Sequence, residues 1–165
     1  MLILTLNYAL NKKSAHKALC EWYYLKNRVK TIIYCAVLGV LAVNFLLSAI
    51  FLSDSMSVTL FAVSVFGICM LFSVPPFQLK SYANAYGEGE DYTLNIFEEK
   101  AEVVSSKTQA EIEFSEISAV YDTKNFICIE TRGKLFPIAK TAQNEENAVN
   151  IAAFLSEKLP KRYKK

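Results

Sequence analysis

One long apolar stretch constrains the fold more than any other feature of this sequence. Between Thr31 and Val74 the only charged residue is Asp54. A helix needs about 20 apolar residues to cross a bilayer, and residues 31–52 and 56–74 both approach that length. Because only a turn of three residues separates these two segments, they are predicted to form an antiparallel transmembrane hairpin.

The residues that flank the hairpin predict its limits and its orientation. Pro75 and Pro76 are expected to end the second helix, because proline has no backbone N–H to donate, so the hairpin as a whole is assigned to residues 31–76. Cations lie on one side of the hairpin only, with Lys80 after it and six before it. Since cytoplasmic flanks favour cations, both termini are predicted to be cytoplasmic and Asp54 external. The six preceding cations are Lys12, Lys13, Lys17, Lys26, Arg28 and Lys30.

Two sets of side chains are expected to serve the hairpin. Aromatic and cationic residues around the start of the first helix are predicted to lie at the membrane interface; they are Trp22, Tyr23, Tyr24, Lys26, Arg28, Lys30 and Tyr34. Small or polar residues within the helices are predicted to pack them together; they are Gly39, Asn44, Ser64 and Gly67. Asn44 is expected to hydrogen-bond across to the partner helix. The alternative, a polar transport path, requires oligomerisation, because two helices cannot enclose a pore.

Residues 1–30 are predicted to form a strand and a basic helix. Residues 2–8 alternate in a strand-like pattern, and an isolated strand would leave its backbone groups unpaired. The strand is therefore expected to join an edge of a sheet formed further along the chain. Ser14 is the predicted N-cap of a helix that continues into the first apolar segment. His16, the only histidine, is placed in the exposed first turn of that helix, without a catalytic partner.

After the hairpin the sequence changes to short alternating segments. Residues 77–91 include two glycines and are predicted to be a linker. About six short segments follow at the spacing of an antiparallel meander, and then an apolar stripe at helical spacing. Residues 92–160 are therefore assigned to one cytoplasmic domain and residues 161–165 to a basic tail. The predicted fold class is α+β: a two-helix transmembrane hairpin with a cytoplasmic antiparallel sheet or partial barrel, capped by a C-terminal helix.

No motif in the sequence predicts a reaction. The four cysteines share no metal-ligand spacing; they are Cys20, Cys35, Cys69 and Cys128. The acidic pairs at 98–99 and 145–146 are expected in a turn and at a helix start, where solvated carboxylates are favourable. We therefore predict no catalytic residue, no metal ligand and no cofactor, and expect a protein that is not an enzyme. Neither a nucleic acid partner nor a small-molecule substrate is expected.

The order of elements and several local motifs resemble the YcxB-like family of bacterial membrane proteins. The motifs are YTLNIFEEKAEV at 92–103, FSEI at 114–117, TKNFICIET at 123–131 and LFPIAK at 135–140. They lie between the hairpin and a terminal helix, so the resemblance covers nearly the whole chain. It implies a bacterial cytoplasmic-membrane protein with a domain similar to pleckstrin-homology folds, and it implies no known reaction or ligand.

Charge is unevenly distributed along the sequence. Residues 88–158 carry a net charge of −7, whereas the N-terminal arm and the tail are basic. An acidic domain is repelled by an anionic leaflet, so the predicted domain is expected to favour a basic protein over lipid. The candidate anion contacts that would oppose this expectation are Lys124, Arg132 and Lys134.

Three functions are consistent with these sequence features. The first is a non-enzymatic binding or scaffold module, anchored in the bilayer, that presents a sheet edge or an acidic surface to a protein partner. The second is a membrane-embedded immunity protein against a secreted toxin, in which the hairpin is the working part. The third is an accessory subunit of a membrane transport or secretion complex. A homo-oligomer is compatible with all three.

Overall fold

A computed structural model describes residues 1–52, 55–84, 86 and 89–165. It is an α+β structure with two long apolar helices and mainly antiparallel sheets, as predicted. In chain order the elements are β1 (Leu2–Leu10), α1 (Lys12–Lys26), α2 (Arg28–Leu52), α3 (Ser55–Ala83), β2 (Glu90–Phe97), β3 (Lys100–Ser105), β4 (Gln109–Glu113), β5 (Ala119–Asp122), β6 (Phe126–Glu130), β7 (Leu135–Ala139), α4 (Glu145–Lys158) and β8 (Tyr163–Lys164). The predicted turn at Asp54 lies outside the described residues.

The strands form two four-stranded sheets instead of one meander. One sheet has the order β1-β2-β3-β4 and the other the order β7-β6-β5-β8. The six strands predicted between residues 92 and 139 are present as β2 to β7. The prediction that the N-terminal strand joins the sheet is confirmed, because β1 pairs antiparallel with β2 and Tyr8 lies opposite Tyr92. The short strand β8, which pairs parallel with β5, was not predicted.

The hydrophobic core unites parts of the chain that lie far apart in sequence. Side chains such as Leu6 of β1, Leu94 of β2 and Ile129 of β6 are fully buried in one cluster. Helix α1 adds Ala15 and Leu19 to the same cluster. The folded domain is therefore larger than the predicted span of residues 92–160.

Helix α1 begins and ends differently from the prediction. Asn11, not Ser14, is the N-cap: its side-chain oxygen accepts the Ser14 backbone N–H at 2.8 Å, and the Ser14 hydroxyl accepts the Asn11 N–H at 2.9 Å. This reciprocal pair is a capping box, with Ser14 at its third helical position. The helix also stops at Asn27, whose side chain bonds the Tyr23 carbonyl at 3.0 Å. α1 and α2 are thus two helices, and not one continuous helix.

Helix α3 continues through both prolines to Ala83, which corrects the predicted helix end and much of the predicted linker. Pro76 has no N–H for the carbonyl of Phe72, one turn earlier. The Tyr24 hydroxyl donates to that carbonyl instead, at 2.8 Å. His16 Nε2 donates to the Pro76 carbonyl at 2.8 Å, so His16 is a half-buried contact between α1 and α3 and not an exposed residue.

The long helices α2 and α3 pack along their length and leave most of their apolar surface open. Val40 of α2 is 71% exposed and Phe66 of α3 is 63% exposed. Both helices are long and apolar enough to cross a membrane by length and composition.

The end of the chain closes the domain. Arg162 Nη1 donates to the carbonyls of Phe114, Ser115 and Ile117 at 3.0, 3.2 and 2.7 Å. Residues 161–165 are therefore not a free tail. Helix α4 lies along β1, where the Asn144 side chain donates to the Asn7 carbonyl at 3.0 Å.

Candidate functional site

A groove of about 1160 Å³ lies where the two sheets, α1 and the end of α3 meet. Aromatic side chains from all of these regions line it; they are Tyr8, Trp22, Tyr23, Tyr82, Tyr86, Tyr92 and Phe136. The groove exists because α3 continues past its prolines, which places Leu79 and Tyr82 against the sheets. A wall so rich in aromatic surface suits an apolar or aromatic ligand segment.

One wall of the groove is a tyrosine pair on neighbouring strands. Tyr8 and Tyr92 lie opposite each other in the β1–β2 register and stack with ring centroids 5.5 Å apart. Burial raises the pKa of Tyr8 well above its ordinary value. Burial, followed by its bond to Glu90, raises the pKa of Tyr92 as well. Both hydroxyls therefore stay protonated at neutral pH and can act as hydrogen-bond donors.

The polar rim of the groove includes two ion pairs. Tyr92 donates to Glu90 at 2.7 Å, and Lys107 bonds the other carboxylate oxygen of Glu90 at 2.5 Å. The Lys107 ammonium and then the Tyr92 hydroxyl hold the pKa of Glu90 below its usual range. On the other side, Lys26 pairs with Glu130 at 2.5 Å. These pairs fix the rim without adding a strong net charge.

Trp22 lines the groove, but its indole N–H is buried. Its indole packs edge-on against Tyr121, with centroids 6.4 Å apart, and the Lys26 ammonium lies 4.8 Å from the indole centroid. The indole N–H is buried and has no hydrogen-bond partner in the described part of the chain. A buried unsatisfied donor costs about 1–3 kcal/mol, which the packing around Trp22 must offset.

The groove also adjoins an open sheet edge. β4 is the outer strand of its sheet, and among the described strands only β3 pairs with it. Gln109 and Ala110 of β4 line the groove. An extended segment could therefore pair with the strand and place side chains in the groove. At the other edge of the sheet, the side chains of Asn144 and Asn147 donate to the carbonyls of Asn7 and Thr5 of β1 at 3.0 and 3.4 Å.

Several partly buried polar groups outside the groove form structural pairs. Glu21 of α1 accepts bonds from Thr123 at 2.5 Å and Asn125 at 2.6 Å, and so holds α1 to the β5–β6 turn. Lys140 pairs with Asp122. Within residues 1–52, 55–84, 86 and 89–165, no group of three or more His, Cys, Asp or Glu could hold a metal ion.

The residues predicted at the membrane interface fall into two groups. Trp22 and Tyr23 pack against the domain core, so packing accounts for them without a lipid contact. Tyr24 ties α1 to α3, as described above, and Lys26 is paired. Arg28, Lys30 and Tyr34 are exposed at the start of α2, where an interface role stays a prediction.

The residues predicted to pack the two helices together also fall into two groups, those that lie between the helices and those that do not. Ser64 is buried, and Gly67 faces Leu38 of α2, where an added Cβ would lie 3.4 Å from the leucine side chain. Gly39 has no such neighbour within 4 Å. Asn44 is exposed on the surface of α2, so the predicted bond from Asn44 to the partner helix is wrong.

The three candidate anion contacts do not form one cationic pocket. Lys124 lies in the turn before β6, whereas Arg132 and Lys134 lie in the turn after it, so they occupy opposite ends of that strand. All three are exposed, and Lys134 alone lines the groove.

The charge of the assembled domain also differs from the charge of its C-terminal segment. Residues 1–26 carry +3, and Lys80 with the tail adds five cations to the −7 of residues 88–158. The structure joins all of these parts, so the folded unit is near neutral at +1. The predicted net negative charge therefore applies to residues 88–158 and not to the whole folded unit.

Sequence reasoning missed the groove, the role of Glu21 and the role of Arg162. Each depends on contacts between distant segments. One signal was present in the sequence: the predicted addition of residues 2–8 to the sheet brings Tyr8 close to the tyrosine at the start of β2.

Comparison with known protein families supports the resemblance predicted from the motifs. Residues 96–155 match the family model described as YcxB-like protein. This segment runs from β2 into α4 and includes the Arg162-bound turn at Phe114. No curated protein and no solved structure matches the chain.

Proposed function

We propose that α2 and residues 55–74 of α3 form a hairpin across the bacterial cytoplasmic membrane, with both termini and the sheet domain in the cytoplasm. The exposed apolar surface of the two helices supports insertion, because water would penalise it. The cations that flank the helices on one side support the orientation. The same proposal places Asp54 on the external side.

We further propose that the sheet domain has a pleckstrin-homology-like architecture. Two packed four-stranded sheets followed by a C-terminal helix support this proposal. Such a scaffold presents grooves and edges and does not itself define a reaction.

On this basis we propose that the protein is a non-enzymatic, membrane-anchored binding module for a protein partner. The observation that supports this proposal best is the aromatic groove beside the open edge of β4. Strand addition supplies affinity through main-chain hydrogen bonds, and an adjacent pocket supplies specificity through side chains. An extended peptide segment with apolar or aromatic side chains is the ligand that fits both features. Because the folded unit is near neutral, we do not expect its net charge to be the main source of recognition.

The test uses the full chain in its native membrane, with a photoreactive residue at one position at a time. Gln109 and Tyr82 are probe positions, because both line the groove. Val149 on α4, which is 60% exposed and does not line the groove, is the matched control. The proposal predicts the same discrete protein adduct from both probe positions and none from Val149.

A groove-filling variant decides whether that adduct reflects the groove. Ala110→Trp should reduce the adduct at Tyr82 at least about tenfold, which corresponds to a loss of about 1.4 kcal/mol. The purified partner should bind the full chain and lose affinity for the variant. Lipid adducts instead of protein adducts, or equal capture at Val149, would contradict the proposal. An immunity protein that works through its hairpin would be insensitive to Ala110→Trp.

A further inference from the structure

The outer face of α2 is a continuous stripe that the rest of the described chain does not cover. Positions around the buried Ala42 pack towards α3. Positions on the opposite side repeat at intervals of three and four residues and are all exposed; they are Ile33, Val37, Val40, Asn44, Leu47 and Phe51. This spacing is the heptad repeat that lets two helices pack side by side.

Asn44 is the one polar side chain of this outer stripe, and its amide needs hydrogen-bond partners there. It lies eight residues before the end of α2, or about 12 Å along the helix, which is within the hydrocarbon if the pair spans a membrane. An amide has donors and an acceptor, and leaving them unpaired in an apolar medium is costly. Helix α3 does not meet this need, because Asn44 is exposed on the side of α2 opposite the buried Ala42.

We propose that a second copy of this chain covers the outer stripe, with Asn44 paired to Asn44 across a two-fold axis normal to the membrane. An amide is complementary to an identical amide, since each supplies the acceptor that the other lacks. A two-fold axis places the same residue on both sides of an interface. It also keeps the two copies of α2 parallel, as both must be if all copies insert in one orientation. A single asparagine in an apolar heptad fixes the register of such a pair. This inference rests on the proposed membrane insertion.

The first test is disulfide crosslinking of the full chain in its native membrane. Cys20, Cys35 and Cys69 are replaced by alanine, and single cysteines are placed at Val40 or Leu47 with Asn44 retained. Phe66→Cys, on the exposed face of α3, is the matched control. Mild oxidation should link two copies through position 40 or 47 and leave the control monomeric.

The second test measures the contribution of the amide. Asn44→Leu should raise the dimer dissociation constant in detergent micelles about three- to fifteenfold, the range for an interhelical side-chain bond. Asn44→Gln should retain most of the affinity. Sedimentation equilibrium of both variants beside the parent gives these values.

Alkaline extraction separates the possible failures. If the protein stays in the membrane but the stripe crosslinks no better than Phe66→Cys, self-association is wrong and insertion stands. If the protein is released, insertion is wrong and the dimer falls with it. Crosslinks from the stripe to a different membrane protein would also overturn the proposal and would favour an accessory subunit.

Discussion

The helix pair and the sheet domain place their apolar side chains in opposite ways. In the domain, Ile127 and Ile129 are 0% exposed, whereas in the helix pair Val40 is 71% and Phe51 79% exposed. The same residue types therefore face an interior in one region and an open surface in the other. Because an open surface of this kind is penalised in water, the difference indicates two environments for one chain.

The two regions are nevertheless not joined by a loose tether. α3 leaves the apolar helix pair, passes through Pro75 and Pro76, and buries Leu79 and Ala83 in the domain core. α1 lies beside this extension: Tyr24 bonds the Phe72 carbonyl, which receives no N–H from Pro76, and His16 bonds the Pro76 carbonyl. The sheet domain and the helix pair are therefore connected by packed helices.

The largest difference between the regions is expected from truncating a buried side chain. Ile129→Ala should lower the free energy of unfolding by about 2–5 kcal/mol, because it leaves a cavity in the core. Val63→Ala, the comparison change on α3 at a position that is 60% exposed, should cost less than about 0.5 kcal/mol. Urea unfolding in detergent, followed by the fluorescence of Trp22, measures both values. Equal losses would show that the two regions do not differ as described.

A smaller loss is expected where the tail closes the domain. Arg162→Ala should lower stability by about 2 kcal/mol, because three carbonyls lose a charged donor. Lys161→Ala, at an exposed neighbouring position, is the control and should have little effect. Arg162→Lys should recover only part of the loss, since lysine lacks the guanidinium fork. If both alanine variants unfold alike, the tail does not close the domain.

The smallest effect concerns the junction between the regions. Tyr24→Phe removes the donor to the Phe72 carbonyl and should cost about 1 kcal/mol. In a Pro76→Ala background the new backbone N–H can bond that carbonyl, so the same change should cost much less. The double-mutant cycle therefore measures the coupling between the two positions. Additive losses would mean that Tyr24 does not compensate for Pro76.

Elements with a strong local signal were predictable from the sequence. The apolar lengths of α2 and α3, the alternation of β2 to β7 and the apolar stripe of α4 each depend on neighbouring residues only. The addition of β1 to the sheet followed from the need to pair its backbone. The family match over residues 96–155 also rests on motifs in the sequence.

What could not be predicted depends on contacts between distant segments. A proline pair normally signals a helix end, and nothing local shows that Tyr24 will bond the Phe72 carbonyl that Pro76 leaves without an N–H. The groove likewise requires α1, two sheets and the end of α3 together. For Asn44 the prediction failed in the reverse direction. Its polarity suggested a bond to the other helix of the pair, but the helical repeat places its side chain on the face of α2 that points away from α3.

Thiol labelling in intact cells tests most directly whether the apolar helices span a membrane, with the sheet domain on its cytoplasmic side. Single cysteines replace Lys13, Asp54 or Lys165 in a background without Cys20, Cys35 and Cys69. Cys128 can be retained, because it is 0% exposed and burial raises the pKa of its thiol to about 12. A thiol with that pKa is almost entirely protonated at neutral pH and reacts slowly.

If the hairpin spans the membrane with both termini in the cytoplasm, a membrane-impermeant maleimide labels position 54 alone in intact cells, and positions 13 and 165 only after permeabilisation. The permeabilised sample serves as the control for reactivity at each position. Labelling of position 165 in intact cells, at a rate similar to that of position 54, would contradict the account.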